Sequence, residues 1–171
     1  MIKKIKIVKV DYKYCDFLRK YDSKVSFNAG IKELRPFVGV LFDVDGCEYF
    51  APLSSPKPKH LKIKNNIDIL KIDGGKYGVI NFNNMIPVTS NNYTLIDLNK
   101  VPSDISEQKR HALLRKQLDW LNKNSYNVRK RALKIYSLYN SGRLDSRIKD
   151  RCCNFKLLEK KCAEYNSSIK I

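Results

Sequence analysis

The chain opens on "IKIVKV" (residues 5–10), in which apolar and basic positions alternate with the period of two expected of a half-buried strand. The next segment, "YKYCDFLRKYD", changes period. Tyr14, Phe17, Leu18 and Tyr21 fall at i, i+3, i+4 and i+7, which predicts a short amphipathic helix capped by Asp11. Residues 23–34 read as a polar loop containing one glycine. "PFVGVLFDV" and "CEYFAPL" are strand-like, and Asp45-Gly46 between them is the strongest short hairpin signal. "IDILKI" and "YGVINF" flank a second turn, Asp73-Gly74-Gly75-Lys76, and "MIPV" and "YTLIDL" follow. Short connections favour antiparallel pairing, so the expected sheet has five or six strands.

The pattern changes again near Asp104, which pairs with Glu107 as a helix N-terminal signature ahead of a Leu114, Leu118, Leu121 stripe. A second helix follows Ser125, with Val128, Ala132, Ile135, Tyr136 and Tyr139 on one face and Gly142 as its stop. Asn154 caps a last helix carrying Phe155, Leu158, Cys162 and Tyr165 on one side. No internal repeat or low-complexity tract interrupts this order. The expectation is one α+β domain over residues 1–171, sheet-rich to about 100 and helix-rich from 101.

Charge narrows the function. The 171 residues hold 34 Lys+Arg against 17 Asp+Glu, a formal charge of +17. Residues 105–151 alone carry thirteen basic side chains against four acidic ones. A solvated helix face normally alternates signs, whereas like charges at this density repel unless a polyanion neutralises them. The basic residues are spread along the chain and not gathered on one amphipathic helix, which favours nucleic acid over a membrane surface. No zinc-finger spacing, RNA-recognition aromatic signature or leucine-zipper heptad is present, and most of the ten tyrosines and seven phenylalanines lie on core-facing positions. His111, on a basic helix, reads as solvated or RNA-facing. The five cysteines lack C-x-x-C spacing, and adjacent Cys152 and Cys153 read as packing residues. The first residues lack a continuous apolar run, and no stretch approaches a membrane span. A reduced, cytoplasmic protein is expected.

Candidate chemistry concentrates in "FAPLSSPKPKHLKIK", residues 50–64, which has two serines, three prolines, a histidine, four lysines and no acid. Ser54-x-x-Lys57 has the spacing of an acyl-transfer Ser-Lys pair, but that chemistry needs a helix there, which Pro56 and Pro58 oppose. A Pro-rich turn with solvated lysines is the plain alternative. Metal-independent RNA cleavage is the third reading. RNA supplies its own 2′-hydroxyl nucleophile, so a protein need only align it, move protons and hold charge on the phosphorane. Hydroxyl and ammonium groups suit that task, and the chain has no obvious carboxylate cluster for magnesium.

The motifs "RPFVGVLF" (35–42), "YFAPLSSPKPKH" (49–60), "KYGVINFNNMIPV" (76–88), "LIDL" (95–98) and "CNFKLLE" (153–159) carry a resemblance over nearly the whole length. The chain resembles the ToxN/AbiQ family of type III toxin–antitoxin endoribonucleases, which act in abortive infection against phage. The resemblance implies a strongly twisted antiparallel sheet like that of the MazF/Kid toxins. It also implies metal-independent cleavage to a 2′,3′-cyclic phosphate and a 5′-hydroxyl, with no cofactor, and inhibition by a repetitive small antitoxin RNA in a closed toxin–RNA assembly. The essential hydroxyl of the family motif maps onto Ser55, the preceding one onto Ser54, and the motif lysine onto Lys57. The functional basic position before the "F-[VI]-G" strand maps onto Arg35, an arginine where the family has lysine. A guanidinium holds charge well but is a poor proton-transfer group. A family tyrosine upstream has no clear match in "SFNAGIKELR", which leaves the general base open. His60 is a further catalytic candidate, because an imidazole suits proton transfer. The RNA-binding candidates are Lys59, Lys62, Lys64, Lys109, Arg110, Arg115, Lys116, Arg129 and Lys130. A non-catalytic basic RNA-binding regulator is the alternative. A DNA-binding repressor would need a recognition helix and a dimer.

Overall fold

β4 (Cys47–Ser54) is the strand on which the architecture turns. The computed structural model describes residues 3–27 and 35–169; residues 28–34 of the expected polar loop lie outside them. β1 (Lys6–Val10) and α1 (Tyr12–Arg19) are followed by β2 (Phe37–Gly39), the two-residue β3 (Asp43–Val44), β4 and a short α2 (Pro58–Lys62). Four further strands follow: β5 (Ile69–Lys71), β6 (Val79–Asn81), β7 (Ile86–Val88) and β8 (Tyr93–Leu95). The chain closes with α3 (Ile105–Lys123), α4 (Ser125–Asn140), α5 (Ser146–Lys149) and α6 (Phe155–Ile169).

The sheet runs β5-β6-β4-β2-β1-β8, with β3 and β7 also paired to β4, and every pair is antiparallel. It thus has eight strands, more than the five or six expected. The named segments contain all eight; the unforeseen division is that of "PFVGVLFDV" into β2 and the two-residue β3, too short for alternation to register as periodicity. β4 exchanges neighbours along its length. Glu48 to Phe50 pair with β7, whereas Leu53 and Ser54 pair with β6. Tyr49, Phe50, Ala51 and Leu53 are all buried, so this strand is covered on both faces and lacks alternation.

Several local expectations hold. Asp45 (φ 50°) and Gly46 (φ 83°) both adopt the positive φ of a two-residue hairpin turn. Asp11, Asp104 and Asn154 accept backbone N–H bonds from Lys13, Glu107 and Leu157, capping α1, α3 and α6. Cys152 and Cys153 are fully buried. α6 packs on β7 and α1, where the Tyr165 ring lies 5.1 Å from Tyr14 and 4.9 Å from Phe17. Glu159 of α6 accepts from Tyr49 Oη (2.7 Å) and Tyr136 Oη (2.6 Å), tying the start of β4 to α4 and α6. The far end of β4 is thereby left to face α3. No helix among the described residues is long and apolar enough to cross a membrane.

Candidate active site

β4 ends at Ser54, paired with Val79, and the chain then enters its proline segment. Pro56 and Pro58 each disfavour α geometry in the residue before them. Lys57 is accordingly extended (φ −134°, ψ 151°), and Ser54 to Lys57 contain no helical turn. A five-residue helix does begin at Pro58, because proline is tolerated at the first helical position, where an N–H has no intrahelical partner anyway. The Lys57 N–H donates to His60 Nδ1 (3.1 Å), the half of a capping box normally supplied by Glu or Gln at that position. Lys71 Nζ donates to the carbonyls of Leu61 (3.4 Å) and Ile63 (3.0 Å) at the other end of α2.

The loop between β5 and β6 clamps this segment from behind. A Cβ at Gly78 would sit 1.9 Å from the Ser54 carbonyl oxygen, and one at Gly75 would sit 2.4 Å from that of His60. Both glycines also have φ above +90°. Only glycine meets both conditions, so the two serines and the middle of α2 rest directly on loop backbone. α3 holds the loop in turn, through Gln117 Nε2 donating to the Tyr77 carbonyl (2.7 Å).

In front of the serines lies an open cleft of about 340 Å³, lined by Arg35, Pro36, Leu53, Ser54, Ser55, Lys57, Arg110, Leu113, Leu114 and Gln117. Arg110, Leu113, Leu114 and Gln117 are spaced i, i+3, i+4, i+7 and form one face of α3. The cleft therefore joins the end of β4, the residue pair ahead of β2, and one helix face. Ser55 and Lys57 are exposed and Ser54 is half-buried. Ser54 Oγ accepts from Asn81 Nδ2 (2.8 Å), which directs its own proton elsewhere. Three cations and two hydroxyls around one concavity form a site suited to a phosphodiester: the cations draw the anion in, and the hydroxyls bond its oxygens.

Arg35, Ser54, Ser55, Lys57 and Arg110, all singled out from sequence, converge on this cleft. The other candidates do not line it. His60 is 3% exposed, with Nδ1 occupied by the cap, so it faces the protein. Lys59, Lys62 and Lys64 are exposed on and just after α2. Lys109 and Arg115 line a separate groove with Val101, Pro102 and Ile105, and Arg115 also donates to the Leu98 carbonyl (2.9 Å). Lys116 is exposed, its Nζ 5.9 Å from the centroid of the Tyr77 ring. Arg129 and Lys130 lie on another groove beside Leu41, Phe42 and Tyr126, where Arg129 donates to the carbonyls of Val40 and Lys3. His111 is half-buried, and its buried Nδ1 has no hydrogen-bond partner among the described residues, which departs from the solvated alternative of the expectation. Asn81, Gly78 and Gln117 had escaped the sequence reading. For Gln117 a signal existed, since it sits seven residues after Arg110 on the face of Leu114.

The cap makes this corner pH-sensitive. Burial pushes the His60 imidazole below its usual 6.5, with Lys59 and Lys57 adding to the effect. The unfolded state therefore takes up the proton more readily. This contribution to stability is complete above about pH 6.5 and is lost as pH falls through that value toward the folded one. Protonated Nδ1 would also set one N–H against another at the cap. We expect thermal unfolding between about pH 5 and 8 to show this acid limb in the wild type. His60→Gln should flatten it, because glutamine keeps an acceptor at the third helical position. An unchanged limb in H60Q would remove His60 as its cause.

The fold is thus an antiparallel α+β scaffold that brings these hydroxyls and cations together in one cleft. Comparison with known proteins is consistent. Residues 6–163 match the family model described as toxin ToxN, type III toxin–antitoxin system. The chain is 33% identical over 160 residues to endoribonuclease ToxN of Bacillus thuringiensis subsp. kurstaki, covering 91% of this chain and 81% of that protein. A solved structure from work on selective inhibition of a type III toxin by a non-coding RNA pseudoknot superimposes with a TM-score of 0.81 at 32% identity, covering 96% and 99% of the two chains. AbiQ, a lactococcal anti-phage endoribonuclease of the type III toxin–antitoxin system, gives a TM-score of 0.80 at 25% identity, covering 96% and 99%. The chain belongs to the ToxN toxin family of type III toxin–antitoxin systems.

Proposed function

We propose that this chain is an endoribonuclease toxin that cuts RNA by attack of the 2′-hydroxyl on the adjacent phosphate, without a metal ion. The observation that carries this reading is the convergence of Arg35, Ser54, Ser55, Lys57 and Arg110 on one cleft from three separate parts of the chain. In the reaction, the 2′-oxygen bonds to phosphorus as its proton departs. The bond from phosphorus to the 5′-oxygen then breaks, and that oxygen takes up a proton. The products are a 2′,3′-cyclic phosphate and a 5′-hydroxyl. Ser55 hydrogen-bonds the reacting ribose–phosphate, and Ser54, its oxygen already accepting from Asn81, donates to a phosphoryl oxygen. Lys57 and Arg35 hold the charge that builds on the phosphorane, and Arg110 retains the neighbouring phosphate. His60 acts behind them as a positioning residue for Lys57.

The partner is a repetitive small antitoxin RNA that occupies the same cleft and is gathered with the toxin into a closed assembly. Both RNAs need the same cations, which is why inhibition and substrate binding exclude each other. The outlying Lys109, Arg115, Arg129 and Lys130 serve the longer RNA track, and the place of action is the cytoplasm. We also assign the sheet to the strongly twisted MazF/Kid type, a reading supported by the exchange of β4 neighbours along its length.

The test is purified protein incubated with RNA in excess EDTA, followed by analysis of the ends. Scission to cyclic phosphate and 5′-hydroxyl is the expected result. Intact RNA with a salt-sensitive mobility shift would replace the enzyme with a non-catalytic RNA-binding regulator.

A further inference from the structure

Gln117 is buried at 2% exposure yet lines the cleft that holds the serines. Its Nε2 donates to the Tyr77 carbonyl at 2.7 Å, which sets the amide's orientation, since the flipped form would press two carbonyl oxygens together. Its Oε1 is thereby fixed as an acceptor, and it has no hydrogen-bond partner among the described residues. Buried acceptors are normally paired, so a buried, unpaired one on a residue that lines a ligand cleft points to a donor that arrives with the ligand.

The chemistry of that donor can be narrowed. Arg35, Lys57 and Arg110 supply donors for phosphate oxygens, whereas Gln117 Oε1 can only accept, so it does not recognise phosphate. Pro36, Leu53, Leu113 and Leu114 give the same cleft apolar walls. A ribose hydroxyl has no flat apolar faces to set against them, but a nucleobase has two, with amine donors on its edge. At about 340 Å³ the cleft falls in the range of sites for small ligands, about 300–1,000 Å³.

We propose that Gln117 is a specificity-determining residue: its Oε1 accepts a hydrogen bond from the exocyclic amine of a nucleobase next to the scissile phosphate. This rests on the endoribonuclease reading and goes beyond it by naming which feature of the RNA is read. A site built to pair with an N–H rejects the analogue lacking it, because its own buried group is then left unpaired.

The experiment uses a short RNA that the purified protein cuts. Each amine-bearing nucleoside flanking the cut is replaced in turn by its amine-free counterpart: purine riboside for adenosine, pyrimidin-2-one riboside for cytidine, inosine for guanosine. Wild-type protein should cut one of these analogues roughly tenfold more slowly in kcat/KM. Gln117→Met should cut the parent and that analogue at equal rates. Gln117→Glu loses the bond to Tyr77 but keeps acceptor oxygens, and should still discriminate. A merely structural role predicts the opposite: both variants slow, with the wild-type ratio retained in each. That result, or a wild type indifferent to every replacement, overturns the inference while the cleavage reading stands. Failure of the wild type to cut any RNA overturns both.

Discussion

Ser55→Ala is expected to abolish RNA cleavage and growth arrest while leaving the fold in place. Ser55 is exposed, follows the last residue of β4, and is held by the geometry of its neighbours, so losing its hydroxyl should change stability by no more than about 0.5 kcal/mol. The expected loss in single-turnover cleavage is about 10²- to 10⁴-fold, the range associated with removing one positioned proton-transfer or charge-stabilising group. Ser54→Ala should be milder for chemistry but harder on the cleft, because Asn81 Nδ2 would lose its acceptor. If S55A still arrests growth at equal expression, the hydroxyl is not in the reaction.

Gly78→Ala should damage the same site without touching a reacting group. The added Cβ would meet the Ser54 carbonyl oxygen at 1.9 Å, in a residue whose φ of +93° already strains any L side chain. Strain of this kind costs about 1–3 kcal/mol, or about 2–4 °C of Tm per kcal/mol in a chain of this size. The clash can be relieved only by moving the end of β4 or the loop behind it. Displacing a reacting group by about 1 Å is enough to cost roughly 10²-fold in rate. Gly74→Ala is the control. Gly74 also has positive φ (+65°), but nothing lies within 4 Å of its added Cβ, so its variant should lose some stability and keep the cleavage rate. Equal cleavage by G78A and wild type would show that the serines are not positioned by the loop beneath them.

Local devices were readable one after another along the chain. Asp45-Gly46 specifies a hairpin because both residues tolerate positive φ. Asp11, Asp104 and Asn154 cap helices because a short polar side chain reaches a backbone N–H two or three residues on. Pro56 and Pro58 keep Ser54 to Lys57 out of a helix for a reason internal to those residues. The short strands were harder to read. β3 spans only two residues and was not separable from "PFVGVLFDV", and both faces of β4 are buried, so period-two alternation is absent where the sheet is most central.

The site divides along the same line. By itself the sequence determined that a hydroxyl–lysine–proline segment leaves a strand stiffly, and that the chain carries enough positive charge to hold a polyanion. Those are consequences of residue type and of neighbours a few positions away. Only the tertiary structure decided that Arg35 and Arg110 share a cleft with Ser54, Ser55 and Lys57 while Arg129 and Lys109 lie on other surfaces. It likewise turned His60 inward as a cap, and set Asn81 and Gln117 behind and beside the serines. Such choices depend on which distant segments pack together. That is settled by the burial of β4 among four strands and by the face that α3 turns toward its end, which no window of local preference contains.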